Sequence, residues 1–325
     1  MDGLAECKIA IEGMTATQAV QFMQCLIGAT RRDKTSQVFS AALNINTPIL
    51  DDREETRRKH QGKAIWVRQR MAIAKLGIEL AAQGGFDKVT WDGTANSYPS
   101  ICVLEQLSHA EAVELVHTAH ERGLLTYFSA GFRFHHLPKA VYTGVDGVGV
   151  GGAQILRYMD YQTGFHGPFK PDNIETILKI RDEAEQSILG QAAALLARLD
   201  RLYFEECITA SDNLLRSALF EAVQQQDQSC CADLINQLDH IRQLPVDIDH
   251  PLIEWGKRLL NAAQHSPLCA EKMSFEEWTN LLQRVRNSIV TRDLEMLADD
   301  LFTIHSHRFI IDQRFSILQS MLQPV

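Results

Sequence analysis

The strongest constraint in this sequence is a regular alternation of short β-type runs with longer amphipathic helical runs, from Cys7 to about Glu185. Strands that are separated by helices pair in parallel, because the helix carries the chain back to the end of the sheet at which the first strand began. Such crossovers are right-handed. The pattern therefore predicts five βα units in series. The predicted strands are Cys7 to Ile11, Val38 to Ile45, Asp87 to Trp91, Leu124 to Phe128 and Val145 to Val150.

Capping signals mark the predicted helices. Ser108 stands three residues before Glu111, the capping-box spacing that satisfies two free backbone N–H groups at a helix start. Between the second and third strands, the spacing of apolar residues predicts one long helix over Ala64 to Ala82.

After about Gly190 the β signal disappears and leucines recur at helical spacing, with a second capping box at Ser274 and Glu277. The chain has 325 residues, which is enough for two ordinary domains. We therefore expect an α/β domain over residues 1–187, a partial or degenerate TIM-type β/α barrel with parallel strands. A C-terminal all-α domain is expected over residues 188–325.

The composition limits the partners that we expect. The formal charge of −9 argues against a nucleic-acid or anionic-membrane binder, since either needs a basic surface. Seven cysteines with no C-x-x-C pair indicate reduced thiols of a cytoplasmic protein rather than a disulfide framework or a zinc site. Neither a signal peptide nor an apolar run of membrane-spanning length is visible in the sequence.

The residues that follow each predicted strand are the candidates for a binding site, because parallel β/α folds bind ligands at the carboxyl ends of their strands. Ser129 and Gly131 follow one strand, and Gly151 and Gly152 follow the next. Glycine lets backbone N–H groups approach phosphate oxygens, so these two loops predict a phosphate site. The alternative is that the glycines only form tight turns.

Three further residues are candidates for chemistry on a phosphorylated substrate. Lys8 lies within the first strand, where a lysine inside a barrel is a candidate Schiff-base amine or general acid/base. Asp92 closes the third strand and is a candidate proton acceptor, while Asn44 is placed to bind substrate hydroxyls. The alternatives are an exposed strand lysine, an Asp-Gly turn and a strand-end turn, respectively.

No metal and no cofactor is expected. His135–His136 and His305-x-His307 lack a carboxylate or cysteine at ligand spacing, which favours surface or helix-capping histidines. The sequence also contains no P-loop, G-x-G-x-x-G, G-x-S-x-G or H-E-x-x-H pattern.

Several short motifs in the correct order resemble the (5-formylfuran-3-yl)methyl phosphate synthase family. The motifs are Lys8 to Gly13, Val89 to Asp92, Ala119 to Leu124, Ser129 to Gly131 and Gly144 to Ala153. These TIM-barrel enzymes belong to methanofuran-type cofactor biosynthesis. The resemblance implies condensation of two triose-phosphate molecules into a furan aldehyde phosphate. It assigns Lys8 and Asp92 to acid/base catalysis and the glycine loops to phosphate binding.

The chain departs from the family in two respects. Asn96 to Pro99 stand where the family carries a lysine, and the family's first three βα units have no counterpart. Five strands do not close a normal eight-stranded barrel. We therefore expect a homo-oligomer, a partner chain, further sequence or the helical half to complete it.

Two functional hypotheses follow from the residues and the resemblance. The first is a carbon–carbon lyase or synthase that acts on small phosphorylated aldehydes or sugars. The alternative is a non-catalytic docking or regulatory protein, built on a degenerate half-barrel and working in a complex. A weaker third option keeps the phosphate site for an isomerase or aldolase.

Overall fold

A computed structural model describes most of the chain, and its residues divide into two compact units. The described residues are 1, 4–33, 36–94, 100–150, 155–160, 166–242, 250–265, 268–270, 273–307 and 309–311. The first unit comprises Met1–Arg32, Gln37–Arg201 and Ala210–Arg242. The second unit comprises Asp33–Ser36, Leu202–Thr209 and Gln243–Val325. The domain boundary predicted at residue 187 stays a prediction.

The elements alternate in type through the first unit. Up to the sixth strand they are β1 (Glu6–Ala10), α1 (Ala16–Ala29), β2 (Val38–Asn44), β3 (Ile49–Asp51), α2 (Glu54–Lys59), β4 (Ile65–Val67), α3 (Arg70–Gly84), β5 (Lys88–Asp92), α4 (Val103–Gln106), α5 (His109–His120) and β6 (Leu125–Ser129). After a 3-10 turn (Phe134–His136) they are α6 (Leu137–Val141), β7 (Gly147–Val148), β8 (Arg157–Met159), β9 (His166–Phe169), α7 (Asp172–Gln186), α8 (Ile188–Phe204), α9 (Ala210–Gln225), α10 (Gln228–Gln237) and α11 (Asp239–Arg242).

Five strands form one parallel sheet in the order β1-β2-β5-β6-β7, which confirms the predicted α/β character. The strands are neighbours in the same order in which they follow each other along the chain. Crossovers of one hand without a reversal of strand order place the connecting helices on one face. In the described part of the chain, β1 and β7 are the outer strands, and closure into a TIM-type barrel stays a prediction.

One face of this sheet forms the apolar core of the first unit. Phe39, Val89, Trp91 and Phe128 pack there with buried residues of α1, α3 and α5. The Trp91 indole N–H donates to the Ala74 carbonyl of α3 (3.1 Å), so the buried ring leaves no unpaired donor. Strand residues between these point to the opposite face, as the period of two requires.

The connection from β2 to α3 differs from the prediction. The long helix expected from Ala64 is wrong in its first residues, because Ile65–Val67 form β4 and pair antiparallel with β3. The helix itself begins at Arg70. The hairpin depends on contact with Ile49–Asp51, which a helical period within residues 64–82 does not reveal.

Buried charges hold α8 and α9 against α5 within the first unit. The Asp200 carboxylate is 1% exposed and accepts hydrogen bonds from Arg216 Nη1 (2.8 Å) and His117 Nδ1 (2.9 Å). Arg216 also contacts Glu121 (2.8 Å), while the His117 ring stacks on Phe220 (4.2 Å between centroids). These contacts join helices on both sides of residue 187.

The described C-terminal part is helical apart from one pair of short strands. Its elements are α12 (Pro251–His265), β10 (Leu268–Ala270), α13 (Phe275–Thr291), α14 (Leu294–His305) and β11 (Phe309–Ile311). Trp255, Trp278 and Leu301 lie in the second unit's apolar core. The Ser274 capping box is confirmed. The antiparallel β10–β11 pair was not predicted. Over the residues described, no helix has both the length and the apolarity to cross a lipid bilayer.

We expect Asp200→Asn to lower the free energy of unfolding by about 3 kcal/mol, because it removes a buried carboxylate charge that pairs with the buried Arg216 guanidinium. Chemical denaturation measures the change. Glu54→Gln is the matched control, since Glu54 is 80% exposed in its pair with Arg58 and its loss is expected to cost less than about 0.5 kcal/mol. Equal effects of the two variants would contradict the assignment.

Candidate functional site

Three of the predicted site residues lie side by side at the carboxyl edge of the sheet. The strand register pairs Asn44 with Asp92, and Asp92 with Ser129. All three are half-buried, so their polar atoms are partly accessible. The row stands where ligands bind in parallel β/α folds.

Hydrogen bonds within the loops fix part of this row. The Asp92 carboxylate accepts from the Thr94 backbone N–H (2.7 Å) and from the Thr94 hydroxyl, and Asn44 Nδ2 donates to the Thr94 carbonyl (2.8 Å). Asp92 thus stabilises the turn that follows its own strand. This is the structural role that the sequence indicated as the alternative to proton transfer. Its orientation is set by Thr94 before any ligand binds.

Lys8 lies on the same sheet but away from Asp92. Its side chain is exposed on the polar face, and its register partner is Ser40, which in turn pairs with Lys88. Asp92 lies four residues beyond Lys88, a distance of about 13 Å along the strand at 3.3 Å per residue. The register separates the two residues, and their catalytic roles stay predictions.

The polar face also holds residues that the sequence reasoning missed. Lys88 Nζ lies 2.8 Å from Glu6 Oε2 and 4.4 Å from the centre of the Tyr127 ring. Burial, together with the nearby Glu6 charge, raises the pKa of Tyr127. The hydroxyls of Ser40 and Thr90 are hydrogen-bonded at 2.7 Å. The sequence signal that could have placed Lys88 and Thr90 on this face is the alternation in Lys88–Asp92, whose first, third and fifth residues are polar.

Close packing against a neighbouring segment explains why Gly131, one of the predicted phosphate-binding residues, is a glycine. Gly131 has φ +70°, and a Cβ added there would lie 2.6 Å from the backbone N of Cys102. Ala130 before it has φ +83°, an unusual value for a residue with a side chain. The geometry requires glycine at 131 because of the neighbouring backbone. Gly151 and Gly152 lie outside the described residues, and the phosphate site stays a prediction.

Glu105, His135 and His136 come together after β5 and β6, with one potential ligand atom from each within 4.8 Å of the others. The buried His136 accepts the Arg133 backbone N–H at Nδ1 (3.0 Å), so the neutral ring carries its proton on Nε2, 3.1 Å from Glu105 Oε1. A metal at Nε2 would force the proton onto Nδ1, against the Arg133 N–H. The arrangement therefore favours a hydrogen-bonded link between two loops over a metal centre.

Titration of His136 is coupled to this link. Burial lowers the pKa of His136, although the Glu105 carboxylate acts in the opposite direction. The hydrogen bond from His136 lowers the pKa of Glu105 against the effect of desolvation. Near neutral pH the pair is therefore a neutral imidazole donating to a carboxylate.

Comparison of the sequence with models of known protein families gives no match. Comparison with curated proteins gives none either. The geometry of the described residues is therefore the basis for the functional proposals below.

Gly131→Ala is expected to lower the free energy of unfolding by about 3 kcal/mol, from the left-handed backbone and the clash with Cys102. Gly13→Ala is the matched control: φ is +77° there and a Cβ would meet nothing within 4 Å, so a loss of about 1 kcal/mol is expected. Urea denaturation compares the two. A Gly131→Ala loss no larger than the control loss would show that the close approach is unimportant.

Acidification should destabilise the protein partly through His136. Its folded-state pKa lies below the ordinary value of 6.5, so the unfolded chain binds the proton first as the pH falls. The stability contribution is therefore present at neutral pH and is lost progressively below about pH 6.5. His136→Asn retains an acceptor for Arg133 N–H but does not titrate. Its unfolding free energy should fall less steeply between pH 7 and pH 5; parallel curves would exclude this role.

Proposed function

We propose that this protein binds a small phosphorylated aldehyde or sugar at the carboxyl edge of its parallel sheet and acts on it as a carbon–carbon lyase or synthase. The observation that carries the proposal is the alignment of Asn44, Asp92 and Ser129 at that edge, above a polar face that includes Lys8. The chemistry follows that of the (5-formylfuran-3-yl)methyl phosphate synthase family, to which the sequence motifs bear a resemblance.

Each residue has a distinct role in this proposal. The Lys8 amine attacks the aldehyde carbon, water leaves, and the resulting imine makes the neighbouring C–H bond more acidic. A carboxylate takes that proton, the carbanion adds to the carbonyl of a second aldehyde, whose oxygen takes up a proton, and hydrolysis restores the lysine. Ring closure to the furan then releases one phosphate and two water molecules. Asp92 is the proposed proton acceptor, while Asn44 and Ser129 bind substrate hydroxyl and phosphate oxygens. The exposed position of Lys8 is consistent with a substrate that arrives from solvent.

The distance between Lys8 and Asp92 constrains this reaction. Lys8 is level with Lys88, which lies four residues before Asp92 along β5. A bound substrate, rather than a direct ion pair, therefore has to connect Lys8 and Asp92. A TIM-type barrel completed across β1 and β7, by a second copy or another chain, curves the polar face inward and shortens that path. We include such completion in the proposal.

The expected activity is consumption of triose phosphate with the appearance of furan absorbance. Lys8→Ala should lower the rate by about 100-fold or more, as should Asp92→Asn, because each removes a group that moves a proton or forms a bond. Lys59→Ala is the matched control, since Lys59 is an exposed lysine at the end of α2, and its rate should equal that of the wild type. A wild type that does not turn over triose phosphate would overturn the proposal.

A second candidate function is a non-catalytic docking or regulatory role in a complex. It is favoured by the turn-stabilising hydrogen bonds of Asp92 and by the separation of Lys8 from it. This candidate calls for a stable complex in size-exclusion chromatography that survives Lys8→Ala, with no turnover. Turnover lost in Lys8→Ala would exclude it.

A further inference from the structure

A cleft of about 590 Å³ is bordered by Ile45 and Asn46, in the loop that follows β2 at the proposed catalytic edge. The first residues of α3 line one side, and the end of α4 with the first turn of α5 lines the other. Its volume falls within the range of small-molecule sites, which is about 300 to 1,000 Å³. Its described lining residues do not include Lys8, Asn44, Asp92 or Ser129.

Two arginines give this cleft a positive charge. The Arg70 Nε–H donates to Asn46 Oδ1 (2.8 Å), which fixes the plane of the guanidinium. Within the described ranges, the Nη groups of Arg70 have no hydrogen-bonding partner and Arg68 has no carboxylate partner. Arg68 lies over the ring of Trp66, 5.5 Å from its centre, and both guanidinium groups belong to exposed residues.

Most of the other polar groups that line the cleft are bonded to each other or to a helix cap. Asn46 Nδ2 donates to Gln106 Oε1 (2.9 Å) and the Gly93 carbonyl (3.3 Å), so the support of Arg70 is itself held in place. Among the described lining residues Glu111 is the acidic one, and its carboxylate accepts from the Ser108 N–H and hydroxyl, both at 2.8 Å. The described lining therefore carries two guanidinium charges against one carboxylate, which leaves it positive.

A small phosphate ester fits these groups best. Guanidinium groups present pairs of N–H donors that match the oxygens of phosphate, and two of them match its double charge. Gln69 also lines the cleft, and its side chain does not cap α3. Its amide is therefore available to bind a hydroxyl group of the ester. The net charge of −9 disfavours long polyanions such as RNA, since they need an extended basic surface.

We propose that Arg68 and Arg70 form a second anion site, which binds the phosphate group of a small phosphate ester separately from the Lys8 and Asp92 site. Met71 and Leu107 supply apolar contacts for the carbon skeleton. The site does not depend on the catalytic proposal, because it needs neither Lys8 nor completion of the barrel.

Trp66 offers a direct readout. It is 55% exposed beside Arg68, whereas Trp91, Trp255 and Trp278 are buried. Titration of the full chain with inorganic phosphate and with glycerol 3-phosphate, at constant ionic strength, should give a saturable change in fluorescence, with the ester binding more tightly. Glycerol alone should give none. Trp66→Phe should remove most of the signal while calorimetry still detects binding.

Arg68→Gln and Arg70→Gln should each weaken glycerol 3-phosphate binding by about tenfold or more, because each removes a charged hydrogen-bond donor. Arg58→Gln is the matched control on α2 and should bind like the wild type. Circular dichroism confirms folding, and Arg68→Gln decides the matter if Arg70→Gln does not fold. Lys8→Ala should leave binding unchanged.

Three outcomes would overturn this second site. One is a fluorescence change that does not saturate. Another is wild-type affinity in Arg68→Gln. The third is binding that is lost in Ser129→Ala, which would place the anion at the catalytic edge. If turnover is absent while the arginine-dependent binding persists, the catalytic proposal fails and the second site stands.

Discussion

Each crossover in the parallel sheet joins a strand to its immediate neighbour, so the apolar surfaces of α1, α3 and α5 are buried against one face only. That constraint decides what the other face is made of. Polar residues on β1, β2, β5 and β6 alternate with the core residues and stay on the side away from these helices. The candidate chemistry lies on that face because the apolar face is already filled.

Buried electrostatics extend this arrangement beyond the sheet. Asp200 on α8 is held by Arg216 on α9 and His117 on α5, so helices that follow residue 187 belong to the same compact unit as the strands. In the same last turn of α5, His120 Nε2 and the Thr126 hydroxyl both bond the Asp146 carboxylate (2.9 and 2.7 Å). Although desolvation opposes it, this bond raises the pKa of His120. His120 Nδ1 faces Asp200 at 4.0 Å and has no hydrogen-bond partner among the described residues, so only the Nε2 side of the ring is satisfied.

The glycine loops and the arginine cleft would bind an anion through different interactions. Glycine turns present backbone N–H groups to a ligand. At Gly131, however, the backbone of Cys102 already fills the space that a side chain would take. The Arg68 and Arg70 cleft uses charged side-chain donors, and Asn46 holds one of them in place. A site built from side chains tolerates an exposed position, since guanidinium groups remain charged in water.

The sequence by itself determined the kind and order of the main elements, because helical and strand periodicities and the Ser108 and Ser274 capping boxes are local properties. It also aligned Asn44, Asp92 and Ser129, since parallel strands end at one edge. Only the tertiary structure brought Glu105 to His136, separated Lys8 from Asp92 and formed the arginine cleft. Those features depend on strand register and on contacts between residues far apart along the chain, which local periodicity does not encode.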